Sequence, residues 1–280
     1  MIQLLVQLTL LPAEVIYACI FLLGIIIGSF LNVYLYRFHT GRSINGNSHC
    51  LSCAKPLAWY ELFPLVSYLA LRGRCRGCGC CIPARYFIVE AITGGLFVLA
   101  ALWATSVLEF GWLVAVLIVL LLITIYDYYH FIIPDEFTIA LTALVGGWLG
   151  FQWWLGLVTP IELLTIAGAS LAGAGFYYGL WAVSRGAWLG FGDVKLAIPL
   201  GLWVGPLGVF SFVVGSFWVG ALISIGILAW HRFERGQKRL QLSSQTLTMK
   251  SAVPFAPFMI IGAGLVYFLH LDVLSFFSFF

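Results

Sequence analysis

Charge is what this chain of 280 residues has least of: Asp, Glu, Lys and Arg make up 9% of it, against 62% hydrophobic residues. A soluble domain carries roughly a quarter charged residues, so the polar surface here is too small to face water on all sides. Short segments of alternating polarity, the mark of a transmembrane barrel, are missing. Lys and Arg are missing from Met1 to Pro12. With no basic n-region, a removable signal peptide is not expected, and the first apolar segment is expected to stay as an anchor. The strand, glycine loop and helix of a dinucleotide fold are absent, and no fixed-period repeat occurs. No serine or cysteine accompanies a histidine as in a nucleophilic triad. Nothing points to nucleic acid.

What is present is a series of long apolar runs. In lipid each must satisfy its own backbone hydrogen bonds, which favours helices. The expected fold is therefore an all-α polytopic membrane protein with about eight transmembrane helices. They fall near 13–36, 85–106, 110–128, 136–157, 161–184, 193–204, 206–230 and 255–270. The sixth is short for a bilayer of ~30 Å, and Gly201, Gly205 and Pro206 separate it from the seventh. The glycines Gly168, Gly173, Gly175 and Gly179 within the fifth predict close helix packing.

The fourteen basic residues are distributed unevenly. Arg37, Arg42, Lys55, Arg72, Arg74, Arg76 and Arg85 belong to the first loop or its edges. Arg232, Arg235, Lys238, Arg239 and Lys250 belong to the penultimate connection, and Arg185 and Lys195 flank the start of the sixth span. With eight spans and the N-terminus outside, all of them fall on the cytoplasmic face. The opposite connections hold Glu14, Glu109, Glu162 and Asp272, with no basic residue. That one-sidedness is what the positive-inside bias predicts, with the C-terminus also outside. The basic linker 231–254 is expected to lie near anionic lipid headgroups.

Six of the seven cysteines lie in the first loop. Cys50-Leu-Ser-Cys53 and Cys75-Arg-Gly-Cys78 form two CxxC knuckles able to supply four thiolates, which suits a structural zinc ion. Gly77 and Gly79 permit tight turns around it. Cys80 or Cys81 could replace Cys78 as the fourth ligand. A cytoplasmic, reducing location weighs against disulfides. Cys19, within the first span, is expected to be a packing residue.

Two carboxylates carry the remaining chemistry. Asp127 ends the third span and Asp193 begins the sixth, directly after Gly190-Phe191-Gly192. The topology puts both at one depth on the cytoplasmic face. Two carboxylates that meet share one proton, so one can activate water while the other donates to a carbonyl oxygen. Plainer readings stand beside this one: Asp193 as a helix N-cap with Lys195 as countercharge, Asp127 as an interfacial residue, or the two as a proton relay in an ion or solute transporter. Asp135, after Pro134, is expected to N-cap the fourth span.

At these residues the chain resembles the bacterial type IV prepilin peptidases, GxGD intramembrane aspartyl proteases, over nearly its whole length. Gly28-Ser-Phe-Leu-Asn32, the knuckles around Trp59 to Tyr68, the segment Pro83 to Gly94, Asp127 with Asp135, and Gly190-Phe-Gly-Asp193 with Lys195 are similar to that family's ordered motifs. The resemblance implies Asp127 and Asp193 as the catalytic pair, with Gly190, Gly192, Lys195 and Asp135 around them. It implies an endopeptidase of the bacterial inner membrane that cuts type IV prepilins or pseudopilins on the cytoplasmic side, after a glycine ending a short basic leader. It also implies N-methylation of the new terminus from S-adenosylmethionine, at a site that maps to no particular residues; a methyltransferase without protease activity is the further alternative. The expected organisation is 1–36 as first helix, 37–84 as zinc loop and 85–280 as protease core. Neither the pilin served nor the oligomeric state can be read from the residues.

Overall fold

The computed structural model describes residues 1–39, 48–237 and 254–273. The basic residues Arg42, Lys238, Arg239 and Lys250, and most of the expected lipid-facing linker, lie outside the described residues.

Among the described residues the chain is helical, without strands. The helices are α1 (Ile2–Thr9), α2 (Ala13–Arg37), α3 (Val66–Ala70), α4 (Arg85–Trp103), α5 (Val107–His130), α6 (Asp135–Trp154), α7 (Pro160–Ser184), α8 (Phe191–Gln237) and α9 (Ala256–Leu269). They form two compact units, Met1–Leu122 and Ile123–Phe280.

Five helices are long and apolar enough to cross a membrane: α2, α4, α5, α7 and the 191–230 part of α8. This is a multi-pass membrane protein. Among the described residues, the eight expected spans and these five differ at three places. The sixth and seventh expected spans are two helical stretches of α8 that meet at a kink at Gly205, where the sequence placed the break; its φ of 76° and ψ of 175° are not helical, and the two stretches count as one span here. α9 has only 14 residues. α6, of 20 residues, is also not among the five.

Outward-facing positions carry Leu22, Ile26, Leu164, Leu171, Leu222 and Ile225, all exposed. That is the reverse of a soluble protein and is what lipid-facing helices require. Cys19 is exposed on α2 rather than packed; with lipid as the apolar solvent it needs no protein cover.

Helix starts are set by local chemistry. Thr159 and Glu162 form a reciprocal capping box at α7, with Pro160 in its first turn. At α5 the Ser106 hydroxyl accepts from the Glu109 N–H at 3.1 Å, and the Glu109 carboxylate accepts from Thr105. Two of the carboxylates expected on the basic-free face therefore cap helices.

In the first unit α2 packs on α4 so closely that a Cβ on Gly24 would come within 2.8 Å of the Gly94 Cα. In the second unit α8 passes α7 with Gly201 against the Ser170 backbone, at 2.9 Å by the same measure. The glycine stripe of α7 behaves otherwise than expected. Only Gly173 abuts a neighbour, Val209; Gly168, Gly175 and Gly179 face open space.

Candidate active site and sulfur cage

The second unit holds both candidate carboxylates. Asp127 is 5% exposed near the end of α5, and Asp193 is 7% exposed in the first turn of α8. They are near enough for their charges to interact. Buried carboxylates are rare unless something orients them, and here backbone N–H groups at helix starts do so. The Asp127 Oδ2 accepts from the N–H of Ala256, the first residue of α9, at 3.3 Å. The Asp193 Oδ2 accepts from the N–H of Gly190 at 3.0 Å, while the Asp193 N–H returns a bond to the Gly190 carbonyl.

The glycines beside Asp193 have separate duties. A Cβ on Gly190 would stand 3.3 Å from the Asp193 carboxylate, so the first glycine leaves room for that side chain. A Cβ on Gly192 would meet Ile133 at 3.1 Å, so the second lets the start of α8 seat against the α5–α6 connection. Asp193 is not the N-cap expected of it: it is the third residue of α8, and its carboxylate reaches back to the Gly190 N–H. That bond is compatible with chemistry because the carboxylate keeps a second oxygen.

Lys195 does not serve as countercharge to Asp193. It forms an ion pair with Asp135. Asp135 is correspondingly not an N-cap: Pro134 occupies that position, no side chain caps α6, and Asp135 is its first residue. A carboxylate one position too late to cap is free to turn toward α8. The pair ties the start of α6 to the start of α8, the helix that carries Asp193.

Two further residues escape sequence reasoning. Tyr177, fully buried on α7, shares a 2.7 Å hydrogen bond with the Ser216 hydroxyl of α8. The signal was a tyrosine within an apolar span, where a hydroxyl must find a partner. The Ala256 N–H had no side-chain signal at all, since it is backbone.

In the first unit the two knuckles fold as near-copies, 25 positions apart. Cys50 N–H bonds Lys55 O and Ala54 N–H bonds Cys50 O; the same bonds recur between Cys75 and Cys80, and between Gly79 and Cys75. The residue after each second cysteine is left-handed: Ala54 at φ 56° and Gly79 at φ 71°. Gly77, expected to share that role, instead donates its N–H to the Cys75 sulfur at 3.4 Å.

The sulfurs of Cys50, Cys53, Cys75 and Cys78 all lie within 4.8 Å of one another. The Cys50–Cys78 separation is 3.9 Å, against about 3.8 Å for the edge of a tetrahedron with ~2.3 Å metal–sulfur bonds. These four residues can hold a metal ion. Cys80 is a fifth thiol, 3.5 Å from the Cys50 sulfur.

Crowding divides the protons unequally. The backbone N–H groups of Cys53 and Ser52 hold the Cys50 thiol down at about 6. Backbone N–H groups of Cys78 and Gly77 lower Cys75 as well. The Cys80 N–H also pulls on Cys78, but desolvation and the thiols of Cys80, Cys53 and Cys75 push it up to about 12. Thiols crowded so that they cannot all ionise together are groups whose charge a bound cation would offset.

Comparison with known proteins agrees with this division. Residues 22–104 match the bacterial peptidase A24 N-terminal domain, and residues 114–225 match the type IV leader peptidase family. A prepilin leader peptidase/N-methyltransferase of Myxococcus xanthus is 36% identical over 221 residues, covering 75% of this chain and 62% of that relative's length. A type 4 prepilin-like proteins leader peptide-processing enzyme of Escherichia coli is 36% identical, covering 66% of this chain and 75% of its own. A prepilin leader peptidase/N-methyltransferase of Dichelobacter nodosus is 27% identical across 92% of this chain and 93% of its own. No solved structure matches. The chain belongs to the type IV leader peptidase family.

Proposed function

We propose that this chain is an aspartyl endopeptidase of the bacterial inner membrane that removes the leader from type IV prepilins or pseudopilins and methylates the new N-terminus. The observation that carries the peptidase reading is the burial, within one compact unit, of two carboxylates whose charges interact. The relatives' names support both activities.

Asp127 and Asp193 hold one proton between them. The ionised member takes a proton from water, and the protonated member donates to the scissile carbonyl oxygen, with no metal or covalent nucleophile. The bonds from Ala256 and Gly190 hold each carboxylate by one oxygen and leave the other for water or substrate. Lys195 and Asp135 act as positioning residues through the ion pair that steadies the first turn of α8. Gly190 and Gly192 make the room described above. A helical substrate hides its carbonyls, so cleavage requires a locally extended backbone. Glycine before the cut weakens the helix and allows close approach.

Zinc is the metal that the four-cysteine cage suits best, and Cys50, Cys53, Cys75 and Cys78 would hold it. It would supply a structural cross-link between the knuckles, since four sulfurs leave no open position. The charge partition supports a cytoplasmic loop with both termini outside, so the cut falls on the cytoplasmic side. The methyl donor is S-adenosylmethionine, and lipid surrounds the helices.

The test is cleavage of a leader-bearing pilin peptide by the purified chain and by its Asp127→Asn and Asp193→Asn variants. Loss in both supports the mechanism. Full cleavage by either overturns it and returns the pair to a relay role. Mass spectrometry of the product separates shortening from methyl gain.

A further inference from the structure

A cavity of about 450 Å³ lies within the first unit, and the carboxylate chemistry of the second unit makes no use of it. Its lining includes Asn32, Glu61, Glu90, Arg37, Tyr68 and Tyr86. Apolar side chains such as Val33, Leu57, Leu71 and Ile82 make up most of the remaining wall, so a few polar groups converge on a largely apolar space. The lining combines acids, a guanidinium, an amide and aromatic rings in a space of small-molecule size.

Three features mark it as built for a ligand. Asn32 is 2% exposed; its Nδ2 donates to the Tyr86 carbonyl at 3.2 Å, but its Oδ1 has no partner. A buried acceptor left without a donor is uncommon unless a bound molecule or water completes it. Glu90 is 7% exposed within α4, where an unaccompanied carboxylate is costly. Its Oε2 accepts from the Leu65 N–H at 2.8 Å, and Leu65 is held at φ 58°, a conformation a leucine rarely adopts. The acid therefore clamps a strained turn onto the cavity wall. Cys50 and Cys75 line the same cavity, so a metal closing the sulfur cage fixes another part of its wall.

We propose that this cavity seats the methyl donor, a sulfonium nucleoside, with Asn32 and Glu90 as its polar anchors. The proposal rests on the methyltransferase reading above and supplies the site that sequence motifs left unassigned. The free Asn32 oxygen suits an amino or hydroxyl donor of the nucleoside. The buried carboxylate suits a sugar diol or the ligand's positive charge. In the transfer the neutral amine of the trimmed substrate attacks the methyl carbon. The carbon–sulfur electron pair returns to sulfur, leaving a thioether, and the amine gives up one proton.

The test uses the full chain in lipid nanodiscs with S-adenosylhomocysteine as probe. Calorimetric titration should show binding to the wild type that weakens by about tenfold or more in Asn32→Leu and Glu90→Gln. Cleavage by both variants should stay within about twofold of wild type. A second readout needs no variant: ultraviolet cross-linking of methyl-tritiated donor to the wild type should label peptides from 29–37 and 48–90. Unchanged affinity in both variants, or label confined to residues 123–273, overturns the site and leaves the methyltransferase reading standing. A wild type that cuts its substrate yet neither binds the probe nor methylates a pre-trimmed peptide removes both.

Discussion

The two units build their chemistry from opposite materials. In the second, the reactive groups are carboxylates inside long apolar helices, each oriented by a backbone N–H at a helix start. In the first, the notable groups are sulfurs on two short knuckles, joined by irregular chain that includes a strained Leu65 and a left-handed Ala54. The difference follows from the solvent. In lipid an irregular backbone leaves costly unpaired groups, so a site must be made from helices and their ends. In water the backbone can bend freely, but a small loop has little apolar core of its own, and a metal is one way to hold it. On the proposals above, cutting and methylation are separable functions in one chain, each housed in its own unit.

The sharpest way to break that comparison is to dismantle the sulfur cage alone. Structural zinc contributes on the order of 10 kcal/mol or more to small metal-held domains, so Cys75→Ser should release the metal and unfold the loop. Metal content and methylation should fall to background while cleavage of a leader-bearing peptide persists. Equal loss of both activities would show that the units do not work separately.

A smaller effect is expected inside the carboxylate site. Gly190→Ala places a methyl 3.3 Å from the Asp193 carboxylate and should push it off line. Displacements short of 1 Å in a catalytic group lower rate by roughly tenfold or more, so single-turnover cleavage should slow by that order, with donor binding untouched.

The metal-free cage should also show a pH signature. Cys50 is depressed from 9.0 to about 6, so its stabilising contribution is complete above 9 and is lost as pH falls through 6. Cys78 is raised to about 12, so its contribution is complete below 9 and is lost as pH rises through 12. Thiolate absorbance of metal-free protein should therefore begin to rise near pH 6, and Cys50 should be alkylated faster than Cys78 at neutral pH. With metal bound, that rise should vanish. The mildest change is Ala54→Gly, which relieves a left-handed alanine and should stabilise the loop by about 1 kcal/mol, read as a higher melting temperature.

How far the chain could be read from its residues also differs between the units. Helix positions were legible because long apolar runs allow little else, and Gly205 marked the one break within α8. The span count was less legible, because hydropathy does not fix how far each helix runs: α9 stops after 14 residues. Asp127 and Asp193 stood out as charges where charge is expensive. Their partners did not: the Ala256 N–H is backbone, and the Tyr177–Ser216 bond joins residues 39 positions apart. Asp135 misled, since an acid after proline looks like a cap until Lys195 is found beside it. The knuckles announced themselves by spacing. The cavity beside them did not, because Asn32 and Glu90 sit on different helices and gain meaning only when these pack.

The central claim is that Asp127 and Asp193 work as a unit. Single-turnover cleavage by Asp127→Asn, Asp193→Asn and the double variant tests it most directly, because groups acting together give non-additive losses. The account expects all three to fall to one common floor, about a thousandfold or more below wild type. Either single variant cutting at the wild-type rate, or a double variant whose loss is the product of two modest single losses, would contradict it.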